Sequence, residues 1–310
     1  MRKAYILEAH RYPAQLHRLV DRLNDGSSEF FVHIDKKADI KTFHSLHAFG
    51  SLIHWLKRED AKWAGYGSVR ATLNGLRAIR DSGKHFDHIF LLSGQDYPIK
   101  SNTEIDAFLR TSPHSLFVDY FPIPNYEKWP GGDRGGWYRV DKYYIGLRRR
   151  DFFFSKSFNF LSTYLPFLRR KIPNGMKPFT GSAWWSMDMY AMNYILDFDA
   201  KHPEYGAFHK YTFVPDELYM HMIVGNATDE RICKSLSTDN KRFLIWEKPD
   251  SPHPNTLRIS DLPAIKASTH LFARKFDATM DSEILDRIDD EILYAKRSVR
   301  PVKEGSTANG

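Results

Sequence analysis

Two neighbouring carboxylates, Asp216 and Glu217, have the sequence setting that best suits acid–base chemistry. They follow a β-branched and aromatic run over 211–214 and then Pro215, whose fixed φ and missing N–H suit the first turn of a helix. The pattern therefore predicts both carboxylates in a first helical turn, directly after a strand. Unpaired N–H groups and the helix dipole keep a carboxylate ionised there, so that it can act as a general base. A simple acidic helix cap is the alternative interpretation.

Further polar side chains follow predicted strands. The sequence predicts buried strands over residues 3–9, 30–34 and 88–92. Asp35 follows the second strand, and Ser93 and Asp96 follow the third, on either side of a glycine. Ligands of parallel α/β sheets bind at the carboxyl ends of strands, so these three residues are candidate site residues. For the turn that carries Asp96, a plain strand-ending turn is the alternative.

Amphipathic helices alternate with these strands. Helices are predicted over 13–24, 68–81, 189–198, 261–268 and 281–296, and further strands over 118–121, 179–187 and 241–246. Alternation of this kind predicts an α/β fold class, with a mostly parallel central sheet and helices on both faces.

The middle of the chain is rich in aromatic residues. Arg139 lies among tyrosines that could engage sugar rings. Residues 152–171 are aromatic and end in three basic residues, which fits either an interfacial membrane segment or a lid over the site. We expect a lid.

Composition narrows the class of protein. The formal net charge is +7, but basic and acidic residues are mixed, so no nucleic-acid footprint is evident. A single cysteine, Cys233, excludes an internal disulfide and fits a reducing compartment. We find no secretory signal and no apolar stretch long enough to span a bilayer, and we expect a cytoplasmic protein. One domain is predicted over 1–296, followed by a disordered tail over 297–310.

Seven stretches, in order, resemble the core-2/I-branching glycosyltransferases and peptide O-xylosyltransferases, which form glycosyltransferase family 14. They are His33-Ile-Asp35, Trp63-Ala-Gly-Tyr66, Leu92-Ser-Gly-Gln-Asp-Tyr-Pro-Ile-Lys100, Thr180-Gly-Ser-Ala-Trp184, Val214-Pro-Asp-Glu217, Arg242-Phe-Leu-Ile-Trp246 and Phe272-Ala-Arg-Lys-Phe-Asp277. The resemblance covers residues 4 to 280 and is weakest over 121–178, a variable acceptor or lid segment.

The resemblance implies a GT-A-like fold and an inverting sugar transfer from a UDP-sugar to a hydroxyl, without a metal or other cofactor. Glu217 matches the family's general base, and Lys275 matches the lysine that neutralises the diphosphate. Arg274 is a candidate second cation. The animal enzymes carry a further arginine upstream that has no counterpart in register here. His253, Lys248 and Arg258 are the candidate replacements.

The resemblance also implies donor contacts at Asp35, Trp63 and Ser93. Asp96 belongs to the same stretch as Ser93 and is a donor-site candidate too. Trp184 and Trp246 are candidates for stacking on acceptor or donor sugar rings, with core packing as the alternative for each. Arg139 completes the acceptor candidates.

The animal relatives carry several cysteines in disulfides and an N-terminal membrane anchor, whereas this sequence has one cysteine. We expect a bacterial cytosolic version without an anchor. We expect N-acetylglucosamine or xylose as the donor sugar, a glycan or lipid-linked acceptor at the inner face of the membrane, peripheral membrane contact, and no nucleic-acid partner.

Two other functions stay open. Asp197 and Asp199 form an Asp-x-Asp pair, the metal-binding pattern of many GT-A enzymes, although they end a predicted helix. A metal-dependent glycosyl- or nucleotidyltransferase would use them. A non-catalytic nucleotide-sugar binding protein is the second alternative.

Overall fold

A computed structural model describes residues 1–129, 134–145, 149–247 and 253–294. Its strands are β1 Lys3–Ala9, β2 Glu29–Ile34, β3 Ile53–Trp55, β4 His88–Ser93, β5 Asp96–Pro98, β6 Leu116–Pro122, β7 Phe179–Met187, β8 Leu236–Ser237, β9 Arg242–Phe243 and β10 Phe272–Arg274. Its α-helices are α1 Pro13–Leu23, α2 Gly67–Asp81, α3 Asn102–Thr111, α4 Tyr138–Asp141, α5 Arg149–Tyr164, α6 Met189–Lys201, α7 Pro203–His209, α8 Tyr219–Gly225, α9 Glu230–Ser235, α10 Leu262–Ala267 and α11 Glu283–Ile288.

Shorter helical turns connect these elements. The 3-10 helices are Ile40–Leu52, Arg134–Gly136, Pro166–Leu168, Pro173–Gly175, Pro215–Glu217 and Ile259–Asp261, and a π-helical turn covers Asp289–Leu293.

Seven strands form a mixed, mostly parallel sheet in the order β3-β2-β1-β4-β7-β6-β8. β1 pairs in parallel with both β2 and β4, whereas β7 runs antiparallel to β4 and β6. This confirms the predicted α/β class, which is consistent with a GT-A-like fold. A smaller sheet has the order β5-β10-β9.

Helices cover both faces of the large sheet, because its central strands are apolar on both sides. Tyr5, Ile6 and Leu7 of β1 are fully buried although their side chains alternate between faces. Helices α2, α6 and α8 pack on one face, and α1, α10 and α11 pack on the other. The predicted arrangement of helices on both faces of the central sheet is therefore confirmed.

The pairing register of the strands brings the residues of the candidate site together. Glu8 of β1 lies beside His33 of β2 on one side and Ser93 of β4 on the other, so three strands end at the same edge. In the small sheet, Asp96 of β5 lies opposite Arg274 of β10. Residues distant in sequence therefore meet at one edge.

Three local predictions differ from the structure. Residues 211–214 form no strand, because Phe213 packs instead among aromatic rings, 4.9 Å from Tyr144 and 5.8 Å from Trp63 between centroids. The strand predicted over 241–246 shortens to Arg242–Phe243, the two residues that pair with β10.

The helix predicted over 281–296 ends as an α-helix at Ile288 and continues as the π-helical turn. Residues 295 and 296, Lys248 and the predicted tail lie outside the described residues. The lid prediction for 152–171 coincides with much of α5 and stays a prediction.

Candidate active site

An open cavity of about 160 Å³ lies at the carboxyl ends of β1, β2 and β4. Its lining includes the residues predicted from strand ends, Asp35 and Ser93, together with Trp184, Asp216 and Arg274. Backbone of the glycine after Ser93 also lines it, as expected for close approach of a ligand. The position agrees with the general location of ligand sites in open α/β sheets.

The two central carboxylates lie in the 3-10 turn Pro215–Glu217, before α8, and not in the first turn of an α-helix as predicted. Val214, which precedes the turn, has φ 51° and ψ 59°. A β-branched residue rarely adopts this left-handed conformation, and such strained backbone often occurs at functional sites. The turn packs against α2 and β7, so the pair is held by three elements.

Glu217 forms an ion pair with Arg139, whose Nη2 donates to the carboxylate over 2.8 Å. The Arg139 side chain is 9% exposed and the Glu217 side chain 34%, so the arginine is enclosed and the carboxylate reaches solvent. Nη1 of Arg139 donates to the Thr180 hydroxyl at 2.8 Å, and the guanidinium lies 5.1 Å from the Trp129 ring centroid. Sequence reasoning proposed Arg139 for the acceptor; in the structure its contacts fix the orientation of Glu217.

Asp216 lies in a different environment. Burial, together with the neighbouring Glu217 charge, raises the pKa of Asp216 to about 7. Its Oδ1 is buried without a hydrogen-bond partner within the described part of the chain. Asp216 and Glu217 are therefore adjacent in sequence but differ in environment, and only Glu217 is ion-paired with a cation.

A cluster of basic side chains lies at the cavity, where Arg11 and Arg274 line the wall. Burial and the positive charges of Arg11 and Arg274 lower the pKa of Lys275. Burial and the charges of Lys275, Arg274 and Arg11 also lower the pKa of His253. These mutual effects place four basic groups close together, which is the environment that a diphosphate requires.

Asp96 orients one member of this cluster, Arg274. Its carboxylate is fully buried, accepts from Nε of Arg242 over 3.1 Å, and lies 3.3 Å from Nη1 of Arg274. The Ser93 hydroxyl donates to Asp96 at 2.6 Å and contacts Arg274. Enclosed in this way, Asp96 holds Arg274 toward the cavity and does not itself line it. Arg274, the candidate second cation, therefore lines the cavity.

The remaining candidates surround the cavity. The Asp35 carboxylate accepts backbone N–H groups of Lys37 at 2.8 Å and Ala61 at 3.0 Å, which joins β2 to the loop before α2. That loop carries Trp63, which is 61% exposed and lies 6.4 Å from the His253 ring between centroids.

The tryptophans differ in their surroundings. Trp184 lines the cavity with the Arg274 guanidinium 4.4 Å from its ring centroid, so it is positioned by a cation and not by core packing alone. Trp246 is 47% exposed.

Asp197 and Asp199 face away from this cavity. Asp199 contacts Nη2 of Arg77 at 2.5 Å and the Tyr219 hydroxyl, and Asp197 lies 3.7 Å from Nη1 of Arg80. Both carboxylates thus link α6 to α2. Within the described ranges, no group of three or more His, Cys, Asp or Glu side chains is arranged to hold a metal ion.

Comparisons with known proteins identify the family of this chain. A family model described as "Core-2/I-Branching enzyme" matches residues 4–267. The chain belongs to the Core-2/I-Branching enzyme family. The beta-glucuronosyltransferase GlcAT14A of Arabidopsis thaliana is 24% identical over 290 residues, covering 90% of this chain and 61% of the relative. Xylosyltransferase 2 of Homo sapiens is 25% identical over 311 residues, covering 93% of this chain and 33% of the relative.

The chain thus spans about three fifths of the length of the plant relative and a third of the human one. Both relatives are named as glycosyltransferases, but for different sugars. Membership in the Core-2/I-Branching enzyme family confirms the resemblance drawn from the seven stretches.

Arg11 and Glu8 are among the lining residues that sequence reasoning did not name as site candidates. Arg11 follows β1 and donates to Gln95 at 3.2 Å, and its charge acts on Lys275. Glu8 is the one acid within the otherwise apolar run of β1. An acid in a strand that is buried on both faces is the signal that could have revealed it.

Proposed function

We propose that this protein is an inverting glycosyltransferase that moves a sugar from a UDP-sugar to a hydroxyl of a glycan acceptor without a metal ion. The observation that carries the proposal is the pairing of Glu217 with Arg139, directly after Asp216, which lines a cavity that Arg11 and Arg274 also line. The charges of Arg11 and Arg274 act on Lys275, which places this lysine near the same cavity. A carboxylate held in one orientation and a group of cations are the two devices that such a transfer needs.

In the proposed reaction, Glu217 accepts the proton of the acceptor hydroxyl as the oxygen attacks the anomeric carbon. The bond between that carbon and the diphosphate oxygen breaks, and its electron pair leaves with UDP. One displacement inverts the anomeric centre and requires one base. Positioned general bases contribute roughly 10²–10⁴ in rate.

The cations stabilise the leaving diphosphate. Arg274 is oriented by Asp96, and Lys275 forms no ion pair within the described part of the chain. Both are therefore available to an anionic ligand, with His253 beside them. Removal of one preorganised electrostatic group costs roughly 10²–10³ in rate.

The contacts to the donor and to the acceptor are proposed from the sequence resemblance to the family. Asp35 would bind the uridine or ribose, with Trp63 and Ser93 beside it, and Trp184, Trp246 and Arg139 would border the acceptor. N-acetylglucosamine and xylose are the proposed donor sugars. A xylosyltransferase and a glucuronosyltransferase among the relatives support sugar transfer but differ in the sugar itself.

A lipid-linked acceptor and peripheral contact with an anionic membrane are part of the proposal. Phe160, Leu161, Tyr164, Leu165 and Phe167 are all exposed, and Lys156 and Lys171 are exposed close to them in sequence. Such a combination fits an interfacial surface. No helix among the described residues is long and apolar enough to cross a bilayer. Cytoplasmic location remains a prediction, which cell fractionation tests.

The test is turnover across a panel of UDP-sugars with EDTA present, comparing the wild type with Glu217→Gln and Lys275→Ala. We expect wild-type turnover to survive EDTA, Glu217→Gln to lose at least about 100-fold while still binding UDP, and Lys275→Ala to weaken UDP binding. Lys234→Ala, which removes an exposed lysine on α9, is the matched control.

Two outcomes would favour the alternatives. Loss of turnover in EDTA, with Glu217→Gln active, would indicate a metal-dependent transferase and make Asp197 and Asp199 the next residues to change. UDP binding without turnover of any donor would indicate a nucleotide-sugar binding protein.

A further inference from the structure

A second, smaller chamber continues inward from the candidate active site. It measures about 40 Å³ and shares Glu8, Ser68, Trp184 and Asp216 with the larger cavity. Its other walls are contributed mainly by α2, β7 and α8 and are largely apolar. A chamber of this size holds two or three water molecules, or one exocyclic substituent of a sugar ring.

Two carboxyl groups supply the strongest polar groups of this chamber. The Thr72 hydroxyl of α2 donates to Oε1 of Glu8 at 2.8 Å, which orients the side chain across the end of β1. Asp216 brings an unpartnered, buried Oδ1 from the opposite wall. A buried oxygen without a partner costs about 1–3 kcal/mol, so a ligand group that reaches it gains a hydrogen bond.

The charged residues among those that line the chamber are both acidic, Glu8 and Asp216. Among the described residues that line it, there is no lysine, arginine or histidine. The cations of the site line or neighbour the outer cavity, where Arg11 and Arg274 are found. Burial and the Asp216 charge outweigh the hydrogen bond from Thr72 and raise the pKa of Glu8 to about 8. An additional anion in the chamber would therefore be desolvated without a counter-charge.

The geometry points to Glu8 and Asp216 as the residues that select the donor sugar. They bind an uncharged sugar through its hydroxyl or acetamido groups and exclude a sugar that carries a carboxylate. This inference rests on the proposed function, because it assumes that the outer cavity holds UDP. It separates this chain from its relative named as a glucuronosyltransferase, whose name implies a donor with an acidic sugar.

The test compares the affinities of UDP, UDP-xylose, UDP-N-acetylglucosamine and UDP-glucuronate for wild type, Glu8→Gln, Asp216→Asn and the double variant by calorimetry. We expect the wild type to bind UDP-glucuronate at least about 10-fold more weakly than the better uncharged donor, since a buried charge without a partner costs more than one hydrogen bond. The comparison is made at pH 9, where Glu8 and Asp216 are ionised despite their raised pKa values. The two amides keep the shape and remove this negative charge, so the double variant should reduce the ratio to about 3-fold or less.

UDP alone serves as the internal reference, because it lacks the sugar. The affinity of each donor is expressed relative to that of UDP for the same variant, so that an effect of the substitutions on the outer cavity, which Glu8 and Asp216 also line, cancels. The single substitutions keep the test open if the double variant does not fold. Glu230→Gln, which changes an exposed glutamate on α9, is the matched control and should leave every ratio unchanged.

Equal wild-type affinities for UDP-glucuronate and the uncharged donors would overturn the inference, and so would a ratio that persists in all three variants. Failure of the proposed function is seen separately, as the absence of transfer from any donor in a turnover assay, whatever the binding ratios are.

Discussion

The pairing of Arg139 with Glu217 predicts a specific kinetic defect. Replacement of Arg139 by alanine removes a 2.8 Å ion-paired hydrogen bond to Glu217 and a 2.8 Å hydrogen bond to Thr180. Hydrogen bonds to charged groups contribute about 1.5–3 kcal/mol each. If only the bond to Glu217 affects the reaction, kcat should fall by roughly 10- to 150-fold while the KM for the donor changes little.

A conservative variant separates orientation of the base from a general loss of structure. Arg139→Lys retains the positive charge but cannot donate to Glu217 and Thr180 with the same fixed geometry, so it should restore kcat only in part.

The assay is steady-state UDP release at varied donor and acceptor concentrations, accompanied by thermal unfolding of each variant. Arg134→Gln is the matched control, because Arg134 is paired with Asp141 and not with Glu217. The reasoning would be refuted by an Arg139→Ala enzyme that is folded and has a wild-type kcat. A defect confined to the acceptor KM would return Arg139 to the acceptor role expected from the sequence.

Three further results are expected. Asp96→Asn should lower the free energy of unfolding by about 3–5 kcal/mol in urea titrations, because Arg242 is 1% exposed and would lose its buried partner; an unchanged midpoint would contradict this. Because its pKa is raised, Glu8 binds a proton more tightly in the folded state than in the unfolded state. The free energy of unfolding should therefore fall as pH rises from 4.5 to about 8. Urea titrations at several pH values test this, and Glu8→Gln should flatten the slope. Replacing Phe160 and Phe167 together by serine should weaken sedimentation with anionic vesicles by at least about 10-fold, whereas Tyr126→Ser, at another exposed aromatic residue, should not; equal sedimentation of all three proteins would exclude this surface as the contact.

Local patterns were sufficient for the elements that alternate regularly. The apolar run of β1 and the stripe of Leu16, Leu19, Val20 and Leu23 in α1 lie close to their predicted bounds. Each pattern reflects burial of a strand on two faces or of a helix on one. The strand predicted over 211–214 failed for the opposite reason, since β-propensity measures packing on a sheet and these residues pack on aromatic side chains.

The sequence by itself determined the family, the order of strands and helices, and the residue types that could carry a sugar transfer. Glu217, Asp35, Ser93 and Lys275 were named from motifs and strand ends, because parallel strands bring their carboxyl ends to one edge wherever they occur in the chain.

Only the tertiary structure decided which side chains are partners. Arg139 and Glu217 are 78 residues apart, and Asp96 and Arg274 are 178 apart, so no local spacing could indicate either pair. The same holds for Glu8 and Asp216, which meet across the chamber because β1 and the turn before α8 pack on the same side of α2. Side-chain partnership depends on the relative placement of whole elements, and that placement is fixed by burial of the entire core.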